Sequence, residues 1–116
     1  KHEKRRFVEN VDFITSPGWY CRSLDGRSRM TRSEMGMAGG PYAVVSTLGV
    51  MKFDEVSKLM YVDSYFEDLG VELATIEQET GFAIDVSRAR PLPPPTHREL
   101  ETLRTKVDPE GIYMKY

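Results

Sequence analysis

The sequence is poor in cysteine, with only Cys21 among 116 residues. One thiol cannot form an internal disulfide, and without a second cysteine a cysteine-based zinc site is excluded. Long hydrophobic runs are missing as well, since none approaches the roughly 20 residues that a membrane-spanning helix needs. The lone cysteine fits a reducing compartment or a chain that needs no disulfide, and we expect by default a soluble cytoplasmic protein without a membrane partner.

Several motifs that carry chemistry are also missing. The chain has no GxGxxG, P-loop, HExxH or GxSxG pattern. Gly36, Gly39 and Gly40 resemble a phosphate-binding loop only loosely, because a proline and a predicted strand follow them instead of a helix. His2 and His97 lie far apart in the chain, each without a second metal ligand nearby, so we expect no metal cofactor.

The remaining composition is that of one folded domain, with 40% apolar and 29% charged residues. The net charge of −2 gives little attraction to a phosphate backbone, so nucleic acid is not an expected partner. The charge is unevenly distributed, however. Residues 1–35 carry eight lysines and arginines against five acidic residues, whereas residues 53–80 carry one against eight. This polarity favours an anionic ligand near the beginning of the sequence, although a solvated acidic face and a basic loop would give the same pattern.

The apolar pattern predicts both strands and helices. Strands are predicted at 7–14, 42–51, 59–66 and 82–86, and a short helix at 72–80 with Gly81 placed to end it. The short polar connection 54–58 should join the second and third strands into an antiparallel hairpin. Residues 19–40 lack periodicity and are predicted to form a long loop.

The composition changes at residue 91. Residues 91–95 are almost all proline and predict a stiff, extended spacer. Thr96 stands three residues before Glu99, which is the spacing of a capping box, and should begin a helix that ends at Asp108, before a proline. We therefore divide the chain into an α/β part, 1–90, and a C-terminal helical arm, 91–116, whose tail from 110 is irregular. The arm could pack on a partner subunit or fold back on its own sheet.

One cluster of basic residues stands ahead of the first predicted strand and could bind phosphates or a carboxylate; a solvated strand start would explain it equally well. Its members are His2, Lys4, Arg5 and Arg6. Other reactive groups are less suited to chemistry. Cys21 has Arg22 beside it but lacks a nearby histidine or aspartate in sequence. Glu9 and Asp12 would lie on opposite faces of a regular strand, so they cannot act as a paired acid and base.

Four stretches, taken in order, resemble a known family. They are KHEKRRFV at 1–8, VDFITSPG at 11–18, GGPYAVVSTLGV at 39–50 and ETGF at 79–82. Together they resemble the C-terminal half of the β subunit of a class I coenzyme A transferase of the glutaconate type. The resemblance covers roughly residues 1–90. Because the sequence begins with lysine and not methionine, we expect a fragment or a processed chain.

The resemblance implies an α/β fold with an open, mixed sheet and flanking helices. It also implies an enzyme of paired α and β subunits that moves coenzyme A between carboxylic acids through a glutamyl thioester. It places the nucleophilic glutamate upstream of the matched stretch, so no catalytic residue is expected here and Glu9 is not assigned that role. The expected ligand is an acyl-CoA thioester whose phosphates lie near the basic cluster. The expected partners are the α subunit and the remainder of the β subunit. There are two alternatives. One is a subunit of a related CoA-thioester hydrolase or decarboxylase, and the other is a non-catalytic interaction module that docks through the arm.

Overall fold

A computed structural model of the chain describes residues 1–23 and 27–114. These residues form six strands and three helical segments. The strands are β1 (Tyr20–Arg22), β2 (Arg29–Thr31), β3 (Ala43–Val45), β4 (Gly49–Phe53), β5 (Met60–Tyr65) and β6 (Arg90–Pro91). The helical segments are a 3-10 turn at Glu67–Leu69, α1 (Leu73–Gln78) and α2 (His97–Thr102), which continues as a π-helical turn over Leu103–Val107. None of the helices in this part of the chain is long and apolar enough to cross a membrane.

The main sheet has four strands in the order β3-β4-β5-β6. β4 pairs with β3 and β5 in antiparallel fashion, whereas β6 pairs with β5 in parallel. The predicted mixed α/β sheet is therefore confirmed, and so is the hairpin formed by the apolar runs on either side of the 54–58 connection. In this hairpin Met51 lies opposite Val62, and the register shifts between Val50 and Met51.

The predicted strand at 42–51 is in fact two strands with a turn between them. Ser46 makes this turn, because its hydroxyl oxygen accepts the backbone N–H groups of Leu48 and Gly49 at 3.1 and 3.3 Å. β4 begins at Gly49, where a Cβ atom would lie 2.3 Å from the carbonyl oxygen of Ser64. A glycine is required at this position because the backbone of β5 passes so close.

The predicted strand at 7–14 is wrong. No strand precedes Tyr20 in the described residues, and Val11, Phe13 and Ile14 are 56%, 80% and 55% exposed. A strand is stabilised by pairing with a neighbour and by burying one face, and this segment does neither. Its β-branched and aromatic residues therefore did not suffice to predict its conformation.

The prediction of a long loop at 19–40 is wrong in part. β1 and β2 form a small antiparallel sheet in this region, with Cys21 opposite Met30. Each strand has only three residues, too few to produce a recognisable alternation in the sequence. The tip of this hairpin, 24–26, lies outside the described residues.

The helix predicted at 72–80 is confirmed as α1, which packs its buried Ile76 against the main sheet. The core consists of Met51, Val62, Ile76 and Ile84. Gly81 is not the cap of α1, whose C-cap is Glu79. Instead the backbone N–H of Gly81 donates to the carbonyl oxygen of Phe7 at 2.6 Å.

The strand predicted at 82–86 is wrong except for one parallel bridge between Tyr61 and Asp85. The backbone N–H of Val62 donates to the carbonyl oxygen of Asp85 at 2.8 Å. In the described residues this segment next pairs with β5 at β6. This segment therefore contributes Ile84 to the core without forming a regular strand.

The capping box that begins α2 is confirmed. The backbone N–H of Glu99 donates to the hydroxyl of Thr96, and the backbone N–H of Thr96 donates to the carboxylate of Glu99 at 2.8 Å. The helix ends at Asp108, before a proline, as predicted. The tail is irregular over 110–114. The division of the chain at residue 90 stays a prediction, and β6 spans that boundary.

Candidate functional site

The predicted basic cluster lies on one turn, which we call the basic turn and define as residues 1–6. The turn is closed by the backbone, because the carbonyl oxygen of Glu3 accepts the N–H groups of Arg6 and Phe7 at 2.8 and 3.1 Å. The hydrogen bond from Gly81 to Phe7 fixes the end of this turn beside the end of α1. The sequence places five basic side chains here, at positions 1, 2, 4, 5 and 6, and the fold gives them two different environments.

Three cations converge on the carboxylate of Glu3. The Nε–H groups of Arg5 and Arg6 donate to the same oxygen at 2.8 and 2.6 Å, and the ammonium of Lys1 lies 3.5 Å from the other oxygen. The hydrogen bonds from Arg6 and Arg5 lower the pKa of Glu3 to about 2. Glu3 therefore stays ionised at neutral pH and holds the two guanidinium groups side by side.

The two guanidinium groups keep most of their hydrogen-bonding capacity. The side chains of Arg5 and Arg6 are 77% and 58% exposed, and within the described part of the chain each is seen to use only its Nε–H, on Glu3. A guanidinium has five N–H donors in a planar fork, so the terminal nitrogens can still bind an anion. Adjacent guanidinium groups suit a phosphate or diphosphate.

His2 points the other way, into the protein. Its side chain is 3% exposed, and its ring stacks on that of Phe7 with centroids 3.7 Å apart. Nδ1 lies 3.0 Å from the hydroxyl of Ser46, and Nε2 lies 3.0 Å from the hydroxyl of Thr80. Its backbone N–H also donates to the hydroxyl of Thr47 at 2.9 Å. His2 thus joins the basic turn to the β3–β4 turn and to the end of α1.

The hydrogen bonds around His2 fix its tautomer. Thr80 donates its own hydroxyl proton to the carbonyl oxygen of Ile76 at 2.6 Å, so it accepts from Nε2–H. Nδ1 is then the acceptor, and the hydroxyl of Ser46 donates to it. A neutral ring satisfies every partner, whereas with a proton on Nδ1 the hydroxyl of Ser46 could donate only to the carbonyl oxygen of Gly49, at 3.3 Å.

Burial lowers the pKa of His2 below its ordinary value of 6.5. The negative charge of Glu79 opposes this shift. Glu79 also accepts the backbone N–H of Lys4 at 3.3 Å. The ring is therefore neutral at physiological pH and acts as a buried hydrogen-bonding residue.

The glycine-rich segment is organised around an arginine. Gly36 and Gly39 have φ values of 70° and 66°, in the left-handed region. The guanidinium of Arg32 donates to the carbonyl oxygens of Gly39 at 2.9 Å and Ala38 at 3.3 Å. Carbonyl oxygens that turn toward a cation do not form a phosphate cradle, which is made of N–H groups.

The structure brings Lys4, Arg5 and Arg6 together as predicted neighbours and turns His2 inward. Ser46, Thr80 and Glu79 were not predicted as partners, because they lie 44 to 78 residues away in sequence and carry no local signal. That the four basic residues bind coenzyme A stays a prediction. Among residues 1–23 and 27–114, no three potential metal ligands cluster together.

The chain is similar to a curated protein and to solved structures, although no protein-family model matches it. It is 39% identical over 117 aligned positions to the β subunit of glutaconate CoA-transferase from Acidaminococcus fermentans, covering 99% of this chain and 41% of the relative. It superposes on the crystal structure of glutaconate coenzyme A-transferase from the same organism with a TM-score of 0.83 at 33% identity, covering 100% of this chain and 42% of the other. The crystal structure of Rhodococcus jostii IpdAB gives a TM-score of 0.71 at 25% identity, covering 97% of this chain and 42% of the other. The chain thus spans about two fifths of the length of these relatives.

Proposed function

Because the chain is a relative of the glutaconate CoA-transferase β subunit, we propose that it forms part of a CoA-transferase subunit that moves coenzyme A between carboxylic acids. The observation that carries this proposal is that both the sequence match and the superposition run through essentially the whole chain. The ligand is then an acyl-CoA thioester, and the enzyme works in the cytoplasm as an oligomer.

The remainder of the subunit and a partner subunit complete the enzyme in this proposal. The relatives are more than twice as long as this chain, and catalytic groups are expected in the unmatched part. The exposed segment with Val11, Phe13 and Ile14 supports a covering partner, since contiguous apolar surface marks an interaction site. The outer edge of β3 supports it as well, because an unpaired strand edge tends to be covered.

The basic turn is proposed to bind the phosphates of coenzyme A. Lys4, Arg5 and Arg6 supply the positive charge, and Glu3 holds the two arginines in register. His2 contributes by fixing the turn, since its ring nitrogens are already hydrogen-bonded. This arrangement would bind a diphosphate through outward-facing guanidinium groups.

A chimera tests the proposed activity. The matched segment of the β subunit from Acidaminococcus fermentans is replaced by this chain, and the chimera is co-expressed with the partner subunit of that enzyme. Transfer of coenzyme A from an acyl-CoA donor to glutaconate is then followed. We expect transfer by the assembled chimera. A chimera that assembles with its partner but transfers no coenzyme A would contradict the proposal.

Variants of the basic turn test phosphate binding separately. In the active chimera, replacing Arg5 and Arg6 together by glutamine should raise KM for the CoA thioester by about tenfold, with the difference shrinking as salt is added. Arg98→Gln, an exposed arginine on α2, is the matched control and should leave KM unchanged. An equal KM in both variants would remove the basic turn from the binding site while leaving the transferase proposal intact.

A further inference from the structure

A cavity of about 410 Å³ lies between the β1–β2 hairpin and the β4–β5 turn, away from the basic turn. This volume is within the range of small-molecule sites. Aromatic and aliphatic side chains, three hydroxyl groups and two cations line it, among them Trp19, Tyr20, Thr31, Arg32, Ser33 and Lys58.

Hydrogen bonds hold the walls of this cavity in place. The guanidinium of Arg32 donates to the carbonyl oxygens of Pro17 and Gly39 at 2.8 and 2.9 Å, so the backbone occupies these N–H donors while the guanidinium keeps its positive charge. The indole N–H of Trp19 donates to the carbonyl oxygen of Pro41 at 3.1 Å. Tyr20 donates to the carbonyl oxygen of Ser57 at 3.2 Å, which ties the hairpin to the β4–β5 turn. The cavity is therefore largely preformed.

Lys58 supplies the cation of the cavity. Its backbone has φ of 57°, a left-handed conformation that is uncommon for a residue other than glycine. Its ammonium lies 4.5 Å from the centroid of the Trp19 ring. In the described ranges no ion pair involves Lys58, because the nearby carboxylate of Asp54 is bound to Arg88 at 2.9 Å and to the N–H groups of its own turn. The Lys58 ammonium thus lies over the aromatic ring of Trp19, and Arg32 adds a second positive charge to the lining.

We propose that this cavity binds a small organic monoanion, a carboxylate whose flat apolar body lies along Trp19 and whose charge is met by Lys58. Lys58 is the lining cation whose side-chain N–H donors are not occupied by a hydrogen bond in the described residues, so it can meet a carboxylate, and the aromatic and aliphatic lining matches an apolar body. This proposal goes beyond the CoA-transferase assignment and does not depend on it.

Trp19 is the only tryptophan in the chain, so its fluorescence reports on the cavity directly. The purified chain is titrated with phenylacetate, a flat monoanion, and with phenylacetamide, its uncharged analogue. We expect a saturable change in Trp19 emission with phenylacetate and binding weaker by about five- to tenfold with phenylacetamide. Inorganic phosphate, which lacks the apolar body, should not displace phenylacetate.

Three variants complete the test. Lys58→Met should weaken phenylacetate binding by about five- to tenfold, and Lys58→Arg should restore it. Lys106→Met, an exposed lysine beyond α2, is the matched control and should bind as the parent does. Circular dichroism verifies that each variant is folded. Equal binding by Lys58→Met and the parent, equal binding of the amide, or displacement by phosphate would each overturn the proposal.

Discussion

Replacing His2 by alanine should destabilise the chain far more than replacing its other histidine, His97. The substitution removes the two ring hydrogen bonds, at 3.0 Å each, and the stack on Phe7 at 3.7 Å. A buried hydrogen bond contributes about 1 kcal/mol and an aromatic stack a further ~1 kcal/mol. We therefore expect the free energy of unfolding to fall by about 3 kcal/mol, measured by urea denaturation at pH 7.5.

The same histidine should make stability depend on pH. The fold lowers the pKa of His2, so the unfolded ring takes up a proton near 6.5 while the folded ring is still neutral. The unfolded state then binds more protons, and the free energy of unfolding decreases as the pH falls from about 6.5 to the lowered pKa of the folded ring. This contribution is fully present above 6.5.

His97→Ala is the control for both measurements, because His97 is an exposed residue of the first turn of α2. It should change the free energy of unfolding by no more than about 0.5 kcal/mol and should keep the decrease below pH 6.5. His2→Ala should lose the part of that decrease that belongs to the ring. If the two variants are equally stable, or if NMR titration gives His2 a pKa of 6.5 or higher, the account of the His2 contacts is wrong.

Three further substitutions test other parts of the fold by urea denaturation and hydrogen exchange. Gly49→Ala should lower the free energy of unfolding by about 2 kcal/mol or more, because the new Cβ would meet the backbone of β5. Gly18→Ala is the control and should be nearly neutral, since the space around Gly18 is open. Equal losses in the two variants would contradict the close approach of β5 to Gly49. Thr96→Ala should cost about 1 kcal/mol through loss of the capping box, and unchanged stability would mean that α2 does not need it. Asp108→Ala should speed amide hydrogen exchange at residues 112–114. The buried carboxylate of Asp108 accepts the backbone N–H groups of all three residues at 2.8 to 3.1 Å. Unchanged exchange would show that other contacts hold the tail.

The parts of the fold that the sequence predicted are those with local signals. The β4–β5 hairpin follows from two apolar runs around a polar turn, and α2 follows from the spacing of Thr96 and Glu99. The turn at Ser46 was not predicted, because its flanking residues are as apolar as those of a continuous strand. The 7–14 segment was predicted wrongly because β propensity says nothing about whether a partner strand exists.

In the candidate site, too, the features with a local sequence signal were predicted and those that depend on distant residues were not. A run of basic residues is visible in the sequence, so the cluster containing Lys4, Arg5 and Arg6 could be found without a structure. Whether a histidine beside them faces the ligand or the core depends on groups far along the chain. His2 is turned inward by Ser46 and Thr80, and no local pattern indicates that contact.

The parallel pairing of β6 with β5 has a consequence for the order of folding. The β3–β4 and β4–β5 hairpins close over short connections and can form early, whereas β6 can pair only after the chain has crossed back through α1. The bond between His2 and Thr80 closes a loop of 78 residues and depends on α1 being in place. We therefore expect the basic turn to assemble late in folding, so that Glu3 and its arginines are fixed beside α1 only in a chain whose sheet is already complete.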